Sequence, residues 1–184
     1  MSEVKSITTP LDDEIISGLR SGDNVLITGT ILTGRDAAHK KLFDLIQQGQ
    51  SLPVELQGQA IFYVGPTPAR PGNPIGSAGP TTSNRMDVFT PELHKLGLKA
   101  TIGKGSRNEA VKEALRRCKA VYLAVTGGAA ALVSKAIKKS EVVAYPELGP
   151  EAIRRLEVVD FPAIVVNDMY GNDLYEEGRN NFRS

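Results

Sequence analysis

The feature that most constrains the fold of this chain is the alternation of short apolar runs with amphipathic segments. The apolar runs are rich in β-branched residues, as buried strands are, and they lie at 24–31, 60–64, 98–102, 120–125, 141–145 and 163–167. The segments 36–48, 107–119 and 129–138 place apolar side chains at helical spacing. Strand–helix alternation predicts an α/β layered fold with at least part of the sheet parallel. With 184 residues, the chain is long enough for one domain with a substantial core.

The segment 65–85 interrupts this alternation. It contains five prolines and four glycines, a composition that excludes both a helix and a strand ladder. Structureless segments of this length within a compact domain are usually either functional or disordered. Strands of one pattern flank the segment, so we interpret it as a rigid functional loop. Its hydroxyl groups, and Arg85 at its end, provide the chemistry.

The composition excludes several classes of function. The net charge is +1 and only 5% of the residues are aromatic, so neither a nucleic acid nor a membrane surface is expected as a partner. Residues 1–5 lack the apolar run of a signal peptide, and no stretch approaches ~20 apolar residues, which predicts a cytoplasmic protein.

Cys118 is the only cysteine of the sequence. One thiol forms no internal disulfide, and it cannot hold a zinc or iron–sulfur site alone, since those sites need three or four ligands. We therefore expect no metal site on this chain and interpret Cys118 as a helix residue packed against the sheet.

Four loops that follow predicted strands carry polar or basic groups. In chain order they are TGRDAAH at 33–39, GPTTSNRMD at 79–87, IGKGSR at 102–107 and TGGAAA at 126–131. Ligands of α/β sheets bind at such carboxyl ends, where backbone N–H groups face the cleft. Arg35, Arg85 and Lys104 suit a small dianion, because each carboxylate needs a cation of its own. The glycines of these loops lack the spacing of both nucleotide-phosphate motifs, which disfavours ATP or a dinucleotide as the ligand.

Simpler interpretations of these loops stay open. Arg35 would then pair with Asp36 or another acid on the surface. Thr81 and Thr82 would only stabilise turns, and residues 126–128 would form a strand-to-helix turn without a ligand.

Other polar residues are interpreted as structural. His39 is expected to be a packed or exposed helix residue rather than a base, and His94 is expected on the surface. The acidic pairs at 12–13 and 176–177 predict a helix N-terminus and a solvated tail, respectively.

Read together, the loop motifs resemble class I fumarases. They are more closely similar to the separate β subunit of two-subunit fumarate hydratases and L-tartrate dehydratases. The resemblance runs from about residue 4 to residue 178 and also includes NDMYGNDL at 167–174 and TTPL at 8–11. It implies a three-layer swivelling β/β/α domain over residues 1–184, with 65–85 as a long active-site loop and about 179–184 as a tail.

The resemblance also implies an activity, the reversible trans addition of water to the C=C bond of fumarate to give malate. By this resemblance, Arg35 and Arg85 match arginines that bind substrate carboxylates, and Lys104 matches a further basic ligand. Thr81 matches the threonine proposed as the general base. A threonine hydroxyl is too weakly acidic to act unaided, and the family places the activating aspartate on the half that bears the cluster. The serine and asparagine at 83–84 stand where the family commonly has smaller residues.

A partner is implied as well. The family's [4Fe–4S] cluster is held by three cysteines of an α subunit, so the resemblance predicts a heterodimer or an α2β2 assembly in which this chain binds no cofactor. Two alternatives are an L-tartrate dehydratase β subunit and a stand-alone dicarboxylate-binding module without activity. The presence of both Thr81 and Lys104 favours an enzyme, because a binding module needs no hydroxyl base.

Overall fold

A computed structural model describes residues 3–182. Its strands are β1 Val4–Thr8, β2 Asn24–Thr33, β3 Ala60–Phe62, β4 Ala100–Gly103, β5 Val121–Ala124, β6 Ile137–Ala144 and β7 Ile153–Asn167. Its α-helices are α1 Asp13–Ser17, α2 Asp36–Gln47, α3 Thr90–Lys95, α4 Glu109–Cys118, α5 Ala130–Ala136 and α6 Leu174–Asn181. Short 3₁₀ helices span Ser83–Met86, Gly127–Ala129 and Pro146–Glu151.

All seven described strands belong to one sheet, in the order β1-β2-β3-β4-β5-β7-β6. Strands β1 to β5 pair in parallel, whereas β7 is antiparallel to β5, β6 and β2. The β7–β2 pairing closes a ring of five strands, β2, β3, β4, β5 and β7. The predicted α/β class and the partly parallel sheet are therefore confirmed.

Strand β3 shows how the core is divided. The residues of β3 and the next two, 63 and 64, are buried, and they alternate between two hydrophobic clusters. Ala60, Phe62 and Val64 pack into one cluster, where the Phe62 and Phe161 rings meet edge to face with centroids 5.2 Å apart. Ile61 and Tyr63 pack into the other. Because successive side chains of a strand point to opposite faces, this strand is covered on both sides.

Several boundaries differ from those predicted. The helix expected at 129–138 ends at Ala136, because Ile137 starts β6 and pairs with Val158 of β7. Leu132, expected on the inner face of that helix, is 59% exposed. The strand expected at 163–167 is only the last part of the long β7. Strand β1 and helix α3 were not predicted.

Two interpretations of polar residues were wrong. His94 lies inside the protein at 1% exposure, because α3 turns it towards the backbone of Leu98. Glu176 and Glu177 belong to the first turn of α6 rather than to a tail, and the Asp173 carboxylate caps that helix. This helix continues to Asn181 and so includes part of the tail expected at about 179–184; residues 183–184 lie outside the described chain.

Within residues 3–182, the helices include none with the length and apolar character that crossing a membrane requires.

Candidate active site

The carboxyl ends of β2, β3 and β4 lie side by side. The Gly34 N–H, just after β2, donates to Phe62 O of β3 at 3.1 Å. The Tyr63 N–H, just after β3, donates to Ile102 O of β4 at 2.8 Å. The loops that leave these three strands therefore start at one edge of the sheet, as expected for parallel neighbours.

Arg35 and Arg85, far apart in sequence, meet around one carboxylate. Arg85 Nε lies 3.0 Å from Asp36 Oδ1, and Arg35 Nη2 lies 3.8 Å from Asp36 Oδ2. Arg35 Nε is also 4.0 Å from Glu151 Oε1. The Arg35 and Arg85 side chains are 27% and 50% exposed, respectively. The two cations are thus accessible, and an anionic ligand would compete with Asp36 and Glu151 for them.

Gly65, the first residue of the 65–85 loop, lies against the side chain of Arg35. A Cβ atom at Gly65 would lie 2.8 Å from Arg35 Nη1 and 3.1 Å from its Cδ. Those separations are shorter than ordinary van der Waals contacts, so a side chain at this position would push Arg35 away. The absence of a side chain lets the guanidinium lie against the loop backbone.

Thr81 and Lys104 are joined through their backbones. The Thr81 N–H donates to Tyr63 O at 2.7 Å, and Thr81 O accepts from the Lys104 N–H at 3.3 Å. The Ser83 N–H then donates to Lys104 O at 2.9 Å. The end of the loop is thereby held as a short parallel extension beside the residues that follow β4. Thr81 is half-buried and Lys104 is exposed.

The structure thus brings Arg35 together with Arg85, and Thr81 together with Lys104, at the same sheet edge. None of the four lines the cavity of about 700 Å³ that lies between residues 67–77 and α5. The fourth polar loop starts beside the loop of Lys104, since the Val125 N–H after β5 donates to Gly103 O of β4 at 2.9 Å. Thr126 also lines a cavity of about 300 Å³ together with β2 and β7 residues.

His39 and His94 are both buried and neutral. The His39 ring donates from Nδ1 to Arg35 O at 2.7 Å, and burial lowers the pKa of His39 to about 4. The His94 ring donates from Nδ1 to Leu98 O at 2.7 Å, and burial likewise lowers its pKa to about 4. His39 is therefore a packed helix residue, in accordance with the sequence interpretation.

Sequence reasoning missed three acidic or basic groups at this edge. Asp36 was considered only as a surface partner of Arg35, and Glu151 comes from a distant 3₁₀ turn that nothing in the sequence connects to Arg35. The sequence indicates Arg107 only as part of a basic loop, yet its side chain is 0% exposed and pairs with Asp87. The only sequence clue to that pair is the aspartate two residues after Arg85.

The family model described as Fumarase C-terminus matches residues 2–178. The chain belongs to this family. This fumarase C-terminus chain is 44% identical over 153 residues to the anaerobic class I fumarate hydratase of Escherichia coli strain K12, an alignment that covers 82% of the chain and 28% of that protein. It is 39% identical over 179 residues to a putative class I fumarate hydratase of Geobacillus stearothermophilus, with 95% of the chain and 34% of that protein covered.

The L(+)-tartrate dehydratase subunit beta of Escherichia coli strain K12 is 36% identical over 183 residues, which cover 97% of the chain and 90% of that subunit. The fumarase C-terminus chain therefore spans about a third or less of the fumarate hydratases named above, and most of the tartrate dehydratase subunit. The family resemblance read from the motifs is confirmed.

The residues of this fumarase C-terminus chain do not fit an iron–sulfur cluster. Cys118 is a free, half-buried thiol at the end of α4, whereas a cluster needs three or four thiolate ligands. In the part of the chain that the structure describes, no three His, Cys, Asp or Glu side chains are placed to hold a metal ion.

Proposed function

We propose that this chain is the β subunit of a two-subunit [4Fe–4S] hydro-lyase that interconverts fumarate and malate. The observation that supports this most is the meeting of Arg35 and Arg85 around Asp36, with Thr81 on the loop of Arg85 and hydrogen-bonded to Lys104 on the next loop. Family membership supports the reaction class, since the relatives are named as fumarate hydratases and a tartrate dehydratase subunit.

The cations suit a dicarboxylate. An arginine holds a carboxylate through two parallel N–H···O bonds, and a lysine adds a point charge. Arg35 would exchange its long contacts with Asp36 and Glu151, at 3.8 and 4.0 Å, for contacts with the substrate, and Arg85 would exchange its 3.0 Å contact with Asp36. Lys104, which is exposed on the neighbouring loop, would neutralise the charge that develops on the substrate when a proton leaves its carbon.

Thr81 is proposed as the proton acceptor in the dehydration direction. Both of its backbone polar groups are occupied, by Tyr63 O and the Lys104 N–H, so its backbone is fixed beside Lys104, and the residue is half-buried. Because a threonine hydroxyl is a weak base, a carboxylate of the partner subunit is needed to take up its proton.

The partner is proposed to be an α subunit that carries the [4Fe–4S] cluster, in a heterodimer or an α2β2 assembly. Cys118 alone cannot hold a cluster, and the name of the tartrate dehydratase relative designates it as one subunit of an assembly. We further propose that residues 1–184 act as a single domain.

A second candidate substrate is L-tartrate. The match to the tartrate dehydratase subunit covers 90% of that subunit, although identity to the fumarate hydratase is higher over the part that aligns. Malate and tartrate share both carboxylates and differ by one hydroxyl, so Arg35 and Arg85 suit both equally.

The test is an anaerobic assay of the chain combined with its cluster-bearing α subunit, using malate and L-tartrate separately. We expect dehydration of malate, and preferential dehydration of tartrate would select the alternative. A cluster-loaded complex that dehydrates neither compound would contradict the proposed function. If the chain alone then bound succinate, it would be a dicarboxylate-binding module instead.

A further inference from the structure

A buried arginine lies directly beneath the loops that carry Arg85 and Lys104. The side chain of Arg107 is 0% exposed, and the residue lies at the end of the connection from β4 to α4, directly before the N-cap Asn108. Its Nε donates to Asp87 Oδ1 at 2.6 Å, and its Nη2 donates to Thr90 Oγ1 at 2.8 Å. Its Nη1 donates to Thr101 Oγ1 at 3.0 Å and to Tyr63 OH at 3.2 Å. All three guanidinium nitrogens are therefore engaged.

Arg107 stays charged in this position. Burial alone would lower its pKa, but Tyr63, Asp87 and Tyr122 outweigh burial and raise it above the ordinary value. Its guanidinium carbon lies 4.9 Å from the centroid of the Tyr122 ring and 5.3 Å from that of Tyr63. The cation is thus flanked by two aromatic rings, an arrangement that stabilises a desolvated positive charge.

Asp87 connects Arg107 to the loop that carries Arg85. This carboxylate lies two residues after Arg85 and is 5% exposed. Its Oδ1 accepts from Arg107, and its Oδ2 accepts from the Asn108 N–H at 2.8 Å. The end of the 79–87 loop is thereby attached to the N-terminus of α4.

Tyr122 makes a second connection between the same two loops. Its hydroxyl donates to Gly105 O at 2.8 Å, one residue after Lys104, and accepts from Ser83 Oγ at 2.8 Å. The fit is close, because a Cβ atom at Gly103 would overlap Ser83 Oγ. Arg107 and Tyr122 together therefore bridge residues on both sides of Arg85 and Lys104.

We propose that Arg107 is a positioning residue that, with Asp87 and Tyr122, sets the separation between the two substrate-facing cations Arg85 and Lys104. This inference rests on the proposed function, since it assumes that both cations bind one dicarboxylate. Arg107 itself is fully buried and touches no ligand. It acts by holding two backbone segments in register, so its loss would misplace both cations without removing either.

This role requires the planar guanidinium group of arginine, which has several N–H donors. Arg107 donates to Tyr63 just after β3, to Thr101 of β4, to Thr90 of α3 and to Asp87 of the 79–87 loop. A lysine would keep the charge for Asp87 but could not reach all four acceptors with one ammonium group. Arg107→Lys should therefore loosen the two loops even where the fold is preserved.

The test measures binding of succinate, an unreactive dicarboxylate, to the complete enzyme with its α subunit by titration calorimetry. Arg107→Lys should raise the Kd for succinate about tenfold, and Tyr122→Phe about threefold, as expected when charged or neutral hydrogen bonds that order a site are lost. The control is Ile16→Val, a change at a fully buried position of α1 away from these loops, which should lower the Tm without changing the Kd.

Each outcome decides the question. If both network variants lower the Tm but bind succinate as tightly as the wild type, Arg107 is merely structural and the proposal is wrong. If Arg107→Lys does not fold, Tyr122→Phe decides by the same criterion. A wild-type enzyme that binds succinate but does not hydrate fumarate would contradict the proposed function and leave the positioning role to be judged from the Kd values. A wild type that binds no succinate would overturn both.

Discussion

Acidification from pH 7 to pH 5 should destabilise the chain because its only two histidines are both buried. His39 and His94 each donate one ring nitrogen to a backbone carbonyl, while the Nε2 atom of each ring is buried without a hydrogen-bond partner. Protonation would place a positive charge on a ring that lacks an acceptor for the second N–H. The folded state therefore resists protonation of both rings.

The magnitude follows from the pKa values. Burial lowers each histidine pKa to about 4 in the folded chain, against 6.5 for an exposed ring. Between these values the unfolded chain binds protons that the folded chain does not, so stability is complete above pH 6.5 and declines as the pH falls towards 4. Linkage gives a loss of about 2 kcal/mol for each histidine between pH 7 and pH 5, or about 4 kcal/mol together. Asp23, whose pKa is lowered from 3.8, titrates below this window.

Urea unfolding of the chain at pH 7 and pH 5 provides the measurement, with His39→Gln and His94→Gln as single variants. Each variant should remove about half of the pH dependence of the unfolding free energy. Equal stability of the wild type at the two pH values would refute the reasoning. So would an NMR titration of either ring in the folded chain with a midpoint near 6.5.

Three further changes have defined outcomes. Arg85→Lys keeps the charge but loses the bidentate contact with a carboxylate. The kcat/KM of the complete enzyme should therefore fall by about one to two decades, on the order of 1.5–3 kcal/mol. An unchanged kcat/KM would exclude Arg85 as a carboxylate ligand. The chain purified without its partner should be colourless and inactive on malate, because Cys118 is its only thiol; stoichiometric iron and sulfide in it would contradict the subunit assignment. Gly103→Ala would place a Cβ atom 2.9 Å from Tyr63 Cδ2 and 3.1 Å from Thr81 O, so it should lower the free energy of unfolding by roughly 1–3 kcal/mol. The control is Gly178→Ala, at a position with open space around it, which should leave the melting temperature unchanged or raise it.

The parts of the fold that the sequence predicted are those with continuous apolar burial. Strands β3 and β5 bury every residue and therefore read as uninterrupted apolar runs. Strand β1 was missed because Ile7 is its only buried residue. The first part of β7 was missed because it alternates charged with apolar residues, such as Arg155 with Leu156 and Glu157 with Val158, as an antiparallel strand exposed on one face does.

Only those features of the candidate site that depend on neighbouring residues in the sequence could be predicted. Arg35 and Lys104 stand where predicted strands end, so their position at one sheet edge followed from the parallel pattern. Arg85 ends the 65–85 loop, which follows the strand between theirs in the sequence. The burial of Arg107 could not be predicted, because it depends on acceptors from four separate segments whose meeting is a property of the tertiary fold. The roles assigned to Arg35, Thr81, Arg85 and Lys104 stay predictions.

The most direct test of the central claim, that this chain supplies the base of a hydro-lyase, is the kinetics of Thr81→Val in the cluster-loaded enzyme under anaerobic conditions. Valine keeps the side-chain shape and the backbone bonds to Tyr63 and Lys104, and removes only the hydroxyl. With cluster content and melting temperature matched to the wild type, kcat for malate should fall by about 10²–10⁴ while KM changes little. A variant with near wild-type kcat would remove Thr81 from the mechanism and contradict the claim.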